Sequence, residues 1–175
     1  IMSVLNKTVF DNLERMQVDK SLTLSLLDYE HGQVRLSGQH EYVLIMREGG
    51  QVETIDTMDL GMPLGLEADI SQFIAEKTLE LKPGEGVVLF TDGITEAEND
   101  RREQFGLTRL TSLVAANWQQ PAQVITDVIT QAVYDYIGDH IIYDDITLVV
   151  FIRPDGDLAH SRASAQEDAL ASPTA

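Results

Sequence analysis

The chain contains no cysteine, and its 29 acidic residues far outnumber its 12 basic ones. Without cysteine there is no disulfide and no thiolate metal site. This composition fits a reducing cytosol, so we predict a cytoplasmic location. No apolar run reaches the length of a membrane helix, so no membrane partner is predicted for this segment. The formal net charge of −17 disfavours contact with nucleic acid, which carries the same sign.

The composition of the 175 residues is typical of a globular protein, with 43% hydrophobic and 23% charged residues. This length is enough for one domain with a hydrophobic core. Residues 154–175 are rich in alanine, serine, aspartate and proline and have almost no large apolar side chains, so we predict a disordered tail there. The folded domain is therefore predicted to span residues 1–153.

The first third of the chain has a helical period of apolar residues and then a strand period. Apolar side chains at intervals of three and four predict an amphipathic helix over residues 2–16. Four strands follow, and the turns between them predict a single antiparallel meander. The predicted strands are 21–28, 34–37, 41–47 and 51–55.

The second half of the chain alternates less regularly between strands and helices. Strands are predicted at 73–81 and 86–91, helices at 107–117 and between Pro121 and Gly138, and a last strand at 146–152. Because strands come first and helices later, we predict an α+β fold with a mostly antiparallel sheet. No glycine-rich phosphate loop and no regular βαβ alternation is present, so a nucleotide-binding fold is not expected.

Two acidic motifs stand next to apolar strands. Asp92-Gly93 ends the apolar run before it, and Asp144-Asp145 precedes the run that begins at Ile146. Taken singly, each motif is typical of an ordinary turn. Taken together, two acidic strand ends that only the fold can bring together favour a site for a hard divalent cation, which prefers oxygen ligands.

Four blocks of sequence occur in an order that is characteristic of one protein family. They are Ser37-Gly38-Gln39-His40, Gly61-Met62-Pro63-Leu64-Gly65-Leu66, the stretch Leu89 to Ala97 with Gln104-Phe105-Gly106, and Asp144 to Val149. Together they resemble the PPM-type metal-dependent serine/threonine protein phosphatases, in their SpoIIE-like bacterial branch. The resemblance covers residues 1 to about 153, and its third and fourth blocks are the specific ones.

This resemblance implies a fold, a reaction and a partner. The fold would be an antiparallel β-sandwich flanked by helices. The activity would be hydrolysis of phosphoserine or phosphothreonine on a partner protein in bacterial signalling, by a water molecule that two Mg²⁺ or Mn²⁺ ions activate. In this branch the implied substrates are small anti-sigma-factor antagonist domains.

The resemblance also implies roles for individual residues of this chain. The implied metal ligands are Asp92, Asp144 and, at the more variable second position of its motif, Asp145. The implied supporting residues are Gly93, Thr147, Gly61 and Gly65. Gly93 would allow a tight turn beside an ion, and Thr147 would support the start of the last strand. The loop 61–66 would pack near the site and shape it.

The sequence also departs from the family pattern. The resemblance calls for further acids in an upstream Gly-Asp-aromatic-x-Asp motif and an Asp-x-x-Gly-x-Gly segment, and neither is found. We therefore expect an N-terminally truncated chain, the C-terminal portion of a phosphatase domain. Such a piece would hold metal weakly or not at all and have little activity, because affinity rises with the number of ligands. Exposed sheet edges would favour self-association of this piece.

Other chemistries remain open as alternatives. The first is a non-catalytic, phosphatase-like module that binds or regulates a signalling partner. A metal site at His140 with Asp139 and Asp144 is less favoured, because no second histidine lies nearby in the sequence. A serine nucleophile is not expected, because there is no Gly-x-Ser-x-Gly elbow. The charged run 100–103 is predicted to be a solvated loop, with contact to substrate phosphate or to a partner as its alternative.

Overall fold

The computed structural model describes residues 1–154, which form four helices and seven strands. The helices are α1 (Met2–Met16), α2 (Asp92–Thr95), α3 (Leu107–Ala116) and α4 (Ala122–Ile137). The strands are β1 (Leu26–Glu30), β2 (Gln33–Ser37), β3 (Val43–Met46), β4 (Val52–Ile55), β5 (Glu76–Glu80), β6 (Gly86–Phe90) and β7 (Leu148–Ile152). The tail predicted for residues 154–175 lies, from residue 155 onward, outside the described residues.

The strands form two antiparallel sheets, in the orders β1-β2-β5 and β4-β3-β6-β7. A core between the sheets contains Val34 and Leu36 from β2, Val43 and Ile45 from β3, and Val87 from β6. Because side chains alternate along a strand, the other residues of β3 and β6 point to the opposite face of their sheet. The predicted α+β fold with an antiparallel sandwich is confirmed.

Helices cover the outer face of the four-stranded sheet. Leu44 of β3 and Val88 of β6 pack there in one cluster with α3 and α4. The buried residues of α4 recur every four positions, namely Ile125, Ile129, Val133 and Ile137. This spacing gives the helix one apolar stripe toward the sheet. As predicted, the helix stops at Gly138, whose φ of 59° favours glycine. None of the helices within residues 1–154 has the length and apolarity of a membrane span.

The predicted meander of four strands is wrong. The two hairpins β1-β2 and β3-β4 form as expected, but β2 pairs with β5 and β3 pairs with β6. Residues 38–42 carry the chain from one sheet to the other. The physical reason is that β2 and β3 both present large apolar side chains, which are buried when the strands face each other across the core.

Two predicted strands are shorter than their apolar patterns suggested. The strand expected at 21–28 begins only at Leu26, and Leu22 instead forms an isolated bridge to Leu64. The strand expected at 73–81 begins at Glu76, because Ser71–Phe73 forms a 3₁₀ turn. In both cases a local contact or turn takes up the first residues of the predicted strand, so the start of a strand is poorly specified by pattern alone.

Candidate metal centre

Asp92 lies where β6 gives way to the one-turn helix α2. The strand ends at Phe90, and Asp92 opens the turn with its Oδ1 accepting a hydrogen bond from the Gly93 N–H at 3.0 Å. Its carbonyl oxygen accepts from the Glu96 N–H at 2.7 Å, which closes the turn. An aspartate side chain that pairs with nearby backbone N–H groups ends an extended run in this way. The carboxylate is thereby fixed at the end of a buried strand.

Asp144 and Asp145 lie in the loop between α4 and β7. The Asp145 N–H donates to Asp144 Oδ1 at 2.7 Å, so the first carboxylate is held against its own loop. Both residues are exposed. The register of the β6-β7 pair sets Phe90 opposite Leu148, so the loop that precedes β7 lies beside the turn that follows β6.

Thr91 ties these two segments together. Its N–H donates to the Thr147 carbonyl at 3.1 Å, and its Oγ1 donates to the Asp145 carbonyl at 2.8 Å. The same Oγ1 accepts from the Thr147 N–H at 3.0 Å. Three hydrogen bonds from one residue therefore hold the 145–147 backbone against the end of β6. Thr147 takes part through its backbone, directly before β7, and its supporting role stays a prediction.

Gly93 shows how closely the two segments approach. A Cβ atom placed on Gly93 would lie 2.4 Å from the Asp145 carbonyl oxygen and 3.5 Å from the Asp144 carbonyl carbon. Real Cβ atoms do not approach backbone atoms to within 3.0 Å, so a side chain at this position would displace the loop. The structure therefore brings Asp92-Gly93 and Asp144-Asp145 together, as the two acidic motifs had suggested.

A further acid, Glu41, lies near Asp92 in the segment before β3, the strand that pairs with β6 on the edge away from β7. Burial raises the pKa of the half-buried Glu41 carboxyl. The negative charges of Asp92 and Glu96 raise this pKa further, and His40 acts in the opposite direction. Sequence reasoning missed Glu41 because its approach depends on the pairing of β3 with β6. The signal that could have found it is its position just before the most buried strand.

The donors gathered here suit a hard divalent cation. They are carboxylate oxygens, the ligands that Mg²⁺ and Mn²⁺ prefer, and the glycine at position 93 allows the Asp144-Asp145 backbone to lie against the Asp92 turn. Asp92, Asp144 and Asp145 are the residues that could hold such an ion. Within residues 1–154, however, no group of three or more histidine, aspartate or glutamate side chains is close enough to form a ready-made metal cluster. The donor type fits, and the number of donors is small.

The predicted supporting glycines Gly61 and Gly65 have other residues than these acids as their nearest neighbours. A Cβ on Gly61 would fall 2.7 Å from the Gly38 Cα. The Gly65 N–H donates to the buried Asn6 of α1 at 2.9 Å. The loop 61–66 thus packs on α1 and on the crossover that leads to Glu41. Any influence of this loop on the acids would pass through that crossover.

A cavity of about 340 Å³ opens beside the acids, between the segments 93–98 and 137–144. Both Gly93 and Asp144 line it, so the cavity is continuous with the candidate metal centre. His140, considered above as an alternative metal ligand, contacts Glu98 and Tyr143. Its Nε2 is 4.0 Å from Glu98 Oε2, and its ring packs edge-on against Tyr143.

Several known proteins share this architecture. PppA of Pseudomonas aeruginosa, described as a key regulatory component of T6SS, superposes with a TM-score of 0.65 and 18% identity over 86% of this chain and 66% of that chain. The phosphatase domain of the cell fate determinant SpoIIE from Bacillus subtilis gives a TM-score of 0.57 and 19% identity over 89% of this chain and 68% of that one. At these identities the likeness shows the fold alone, which is that of the PPM-type phosphatase domains.

Comparison of sequences also identifies the family of the chain. Protein IcfG of Synechocystis sp. (strain ATCC 27184 / PCC 6803 / Kazusa) is 28% identical over 139 residues, which are 79% of this chain and 21% of that protein. The chain thus spans about a fifth of the length of this curated relative. The family model of Stage II sporulation protein E (SpoIIE) matches residues 1–154, which include both acidic motifs. The chain therefore belongs to the SpoIIE family.

Proposed function

We propose that the protein containing these residues is a metal-dependent phosphatase that hydrolyses phosphoserine or phosphothreonine on a partner protein in bacterial signalling. The observation that carries the proposal is the convergence of Asp92-Gly93 with Asp144-Asp145, in a chain of the SpoIIE family. Without this convergence the two motifs would be ordinary turns. With it, two acidic segments from distant parts of the chain lie against each other, and Gly93 and Asp144 line a cavity beside them.

Asp92, Asp144 and Asp145 are the proposed metal ligands, and two Mg²⁺ or Mn²⁺ ions are the proposed cofactor of the complete site. When bound, such ions would lower the pKa of a water molecule and neutralise charge on the phosphoryl oxygens. A phosphate dianion would otherwise be repelled by the acids gathered here. Acids beyond these three would be needed for tight binding, because affinity depends on the number and charge of the ligands.

Other residues of the chain keep the acids in place. Thr91 fixes the 145–147 backbone through its hydroxyl, and Gly93 allows the Asp145 carbonyl to approach. The half-buried Glu41 adds a third strand's carboxyl to the acid-rich region, where its charge would favour a bound cation. Outer contacts of this kind orient the side chains that hold a metal ion.

The proposed substrate is a phosphoprotein, specifically a small anti-sigma-factor antagonist domain. The motif blocks that match the SpoIIE-like branch support this choice. The absence of cysteine supports the proposed cytoplasmic location, where such partners would be met. A phosphorylated residue on a folded domain would have to enter the region near Asp92 from the open cavity side.

The test is Mn²⁺-dependent turnover of p-nitrophenyl phosphate and of a phosphothreonine peptide by the full-length protein, with the 175-residue chain measured beside it. Asp92→Asn and Asp144→Asn each keep size and remove one ligand charge, and we expect each to lower kcat at least about a hundredfold. Asp127→Asn is the matched control, because this exposed residue of α4 contacts Gln123 and lies outside the site.

Two results would decide against the proposal. If Asp92→Asn and Asp144→Asn keep the activity of the control, the ligand assignment is wrong. If the full-length protein binds its phosphoprotein partner but never turns it over at saturating Mn²⁺, the non-catalytic module is the better account. In the 175-residue chain alone we expect weak Mn²⁺ binding and little turnover, because few acids are available.

A further inference from the structure

The cavity beside the candidate metal centre has one apolar wall. Ile141, Ile142 and Tyr143 are three successive large side chains in the loop after α4, and they are 65%, 50% and 67% exposed. All three line the cavity. Single exposed apolar residues are common on protein surfaces, whereas a contiguous group beside a concave site marks a surface for binding. This wall leads directly to Asp144, which follows it in the chain.

A second wall of the cavity is acidic. Glu96 and Glu98 line it from the loop after α2, and among residues 1–154 no lysine or arginine lines the cavity. The Glu98 side chain is 29% exposed, and within residues 1–154 its one ion-pair contact is the 4.0 Å approach of His140. A carboxylate in this position is partly shielded from water and lacks a strong cationic partner. It can therefore accept one from outside.

The two walls together describe the ligand that complements them. A cationic head group would pair with Glu98, while its aliphatic stem lies along the apolar wall. An arginine suits this place because its planar guanidinium binds a carboxylate through two hydrogen bonds. A neighbouring leucine or isoleucine in the same ligand would cover Ile142 and Tyr143. An acidic ligand would be repelled by Glu96 and Glu98, and no lysine or arginine of the described residues lines the cavity to offset this repulsion.

We infer that this cavity docks the substrate polypeptide beside its phosphorylated residue and selects a basic side chain adjacent to a large apolar one. The inference rests on the proposed function, because the phosphorylated residue would occupy the neighbouring acids. Charge complementarity and continuity with Asp144 identify the occupant as a segment of the phosphoprotein. Glu98 and Ile142 are then residues that determine specificity and do not touch the reacting phosphate.

The experiment measures binding of fluorescein-labelled serine peptides to the 175-residue chain by fluorescence anisotropy, without metal and without phosphate. The unphosphorylated product peptide is the probe, because in the absence of metal the acids of the centre would repel a phosphate. The basic-apolar peptide carries arginine and leucine next to the serine. It is made in two versions, with this pair before the serine in one and after it in the other. Its counterpart carries glutamate and serine at the same places. We expect the basic-apolar peptide to bind about fivefold more tightly or better, with a preference that falls as salt is raised.

Glu98→Gln and Ile142→Ser are each expected to abolish this preference while the thermal unfolding curve stays that of the parent, because both side chains are on the surface. The matched controls are Glu14→Gln and Met16→Ser on α1, which change similar exposed groups outside the cavity and should keep the preference. Equal binding of both peptides overturns the inference. So does a preference that survives in both cavity variants, or a dimer of the chain that Ile142→Ser dissociates, which would assign the cavity to a second copy.

Failure of this inference and failure of the proposed function are separable. Peptide selection is read without turnover, whereas the proposed function is read from p-nitrophenyl phosphate, which has no polypeptide to dock. In the full-length protein we expect Glu98→Gln to raise KM for a basic phosphopeptide and to leave p-nitrophenyl phosphate turnover unchanged. A loss of both activities in this variant would contradict a docking role for Glu98.

Discussion

Replacing Gly93 by alanine tests the convergence of the two acidic segments with the smallest possible change. The new Cβ would lie 2.4 Å from the Asp145 carbonyl oxygen, whereas ordinary contacts begin near 3.4 Å. Either the turn of α2 or the Asp145 backbone must therefore move by about 1 Å. The Asp145 carbonyl oxygen also accepts a hydrogen bond from the Thr91 hydroxyl at 2.8 Å. If the Asp145 backbone moves by this amount directly away from Thr91, that hydrogen bond breaks.

The expected loss of stability follows from these contacts. Overpacking of a tight contact costs about 1–3 kcal/mol, and loss of the hydrogen bond costs about 1 kcal/mol. Alanine returns about 1 kcal/mol through its better helix propensity in the short α2 turn. The net prediction is a decrease of about 1–3 kcal/mol in the free energy of unfolding. Movement of the 144–145 loop should also weaken Mn²⁺ binding, because the proposed ligands would separate.

The assay combines urea unfolding followed by circular dichroism with Mn²⁺ titration of the same protein. Gly49→Ala is the control, because a Cβ there meets no atom of residues 1–154 within 4 Å and its φ of 81° makes the cost conformational. Gly49→Ala should lower stability but leave Mn²⁺ binding unchanged. If Gly93→Ala unfolds within about 0.5 kcal/mol of the parent and binds Mn²⁺ equally well, the close approach drawn from the structure is incorrect.

Three further changes probe separate parts of the structure. Thr91→Val keeps the side-chain shape and removes the hydroxyl that bridges the Asp145 carbonyl and the Thr147 N–H. We expect a loss of about 1 kcal/mol in unfolding free energy together with weaker Mn²⁺ binding. Burial and the Asp92 charge raise the pKa of Glu41, so the folded state binds its proton more tightly than the unfolded state does. Stability should therefore fall as pH rises from the ordinary carboxyl range through the raised pKa, and Glu41→Gln should flatten this part of the pH profile. Val149→Lys places a charge on β7, one of the two edge strands of its sheet within residues 1–154. It should shift any concentration-dependent oligomer that pairs through this edge to monomer in gel filtration.

Each of these expectations has a result that contradicts it. Unchanged stability and metal binding in the valine variant would mean that the hydroxyl bridge is dispensable. A pH profile of unfolding that is the same with glutamine at position 41 would show that this carboxyl does not titrate differently in the two states. A chain that runs as a clean monomer at high concentration would dismiss the self-association predicted from its exposed sheet edges.

The sequence predicted best those features that depend on neighbouring residues. The helix over residues 2–16, the stop at Gly138 and both hairpins each follow from local periodicity and turn residues, and the structure contains them. The meander failed because pairing between hairpins is decided by the whole core. Period-2 patterns in β2 and β3 are equally compatible with neighbouring strands in one sheet and with facing strands in two.

The same distinction separates the acids that could be predicted from the one that could not. Asp92 follows the apolar strand β6 and Asp144 precedes the apolar strand β7, so an antiparallel pairing of the two strands brings the segments that carry them close together. Glu41 stands before a strand whose partners the meander prediction had assigned wrongly. Its position beside Asp92 follows only from the pairing of β3 with β6. The assignment of Asp92, Asp144 and Asp145 as metal ligands stays a prediction.

The β6-β7 pair largely determines how the Asp92 turn and the Asp144-Asp145 loop lie relative to each other. Its register sets Phe90 opposite Leu148, and Thr91 then locks the loop that precedes β7. A slip of one residue would move Val88 and Phe90 from the helix-covered face into the core between the sheets and would turn Val87 the other way. Because both cores are filled by side chains of matching size, the packing that stabilises the sheet also fixes the acids. It follows that the arrangement of the acids should persist without metal and without any additional ligand. The number of carboxylates, and not their placement, should therefore limit the metal affinity of these residues, and added acids in a longer protein should raise it without rearranging β6 or β7.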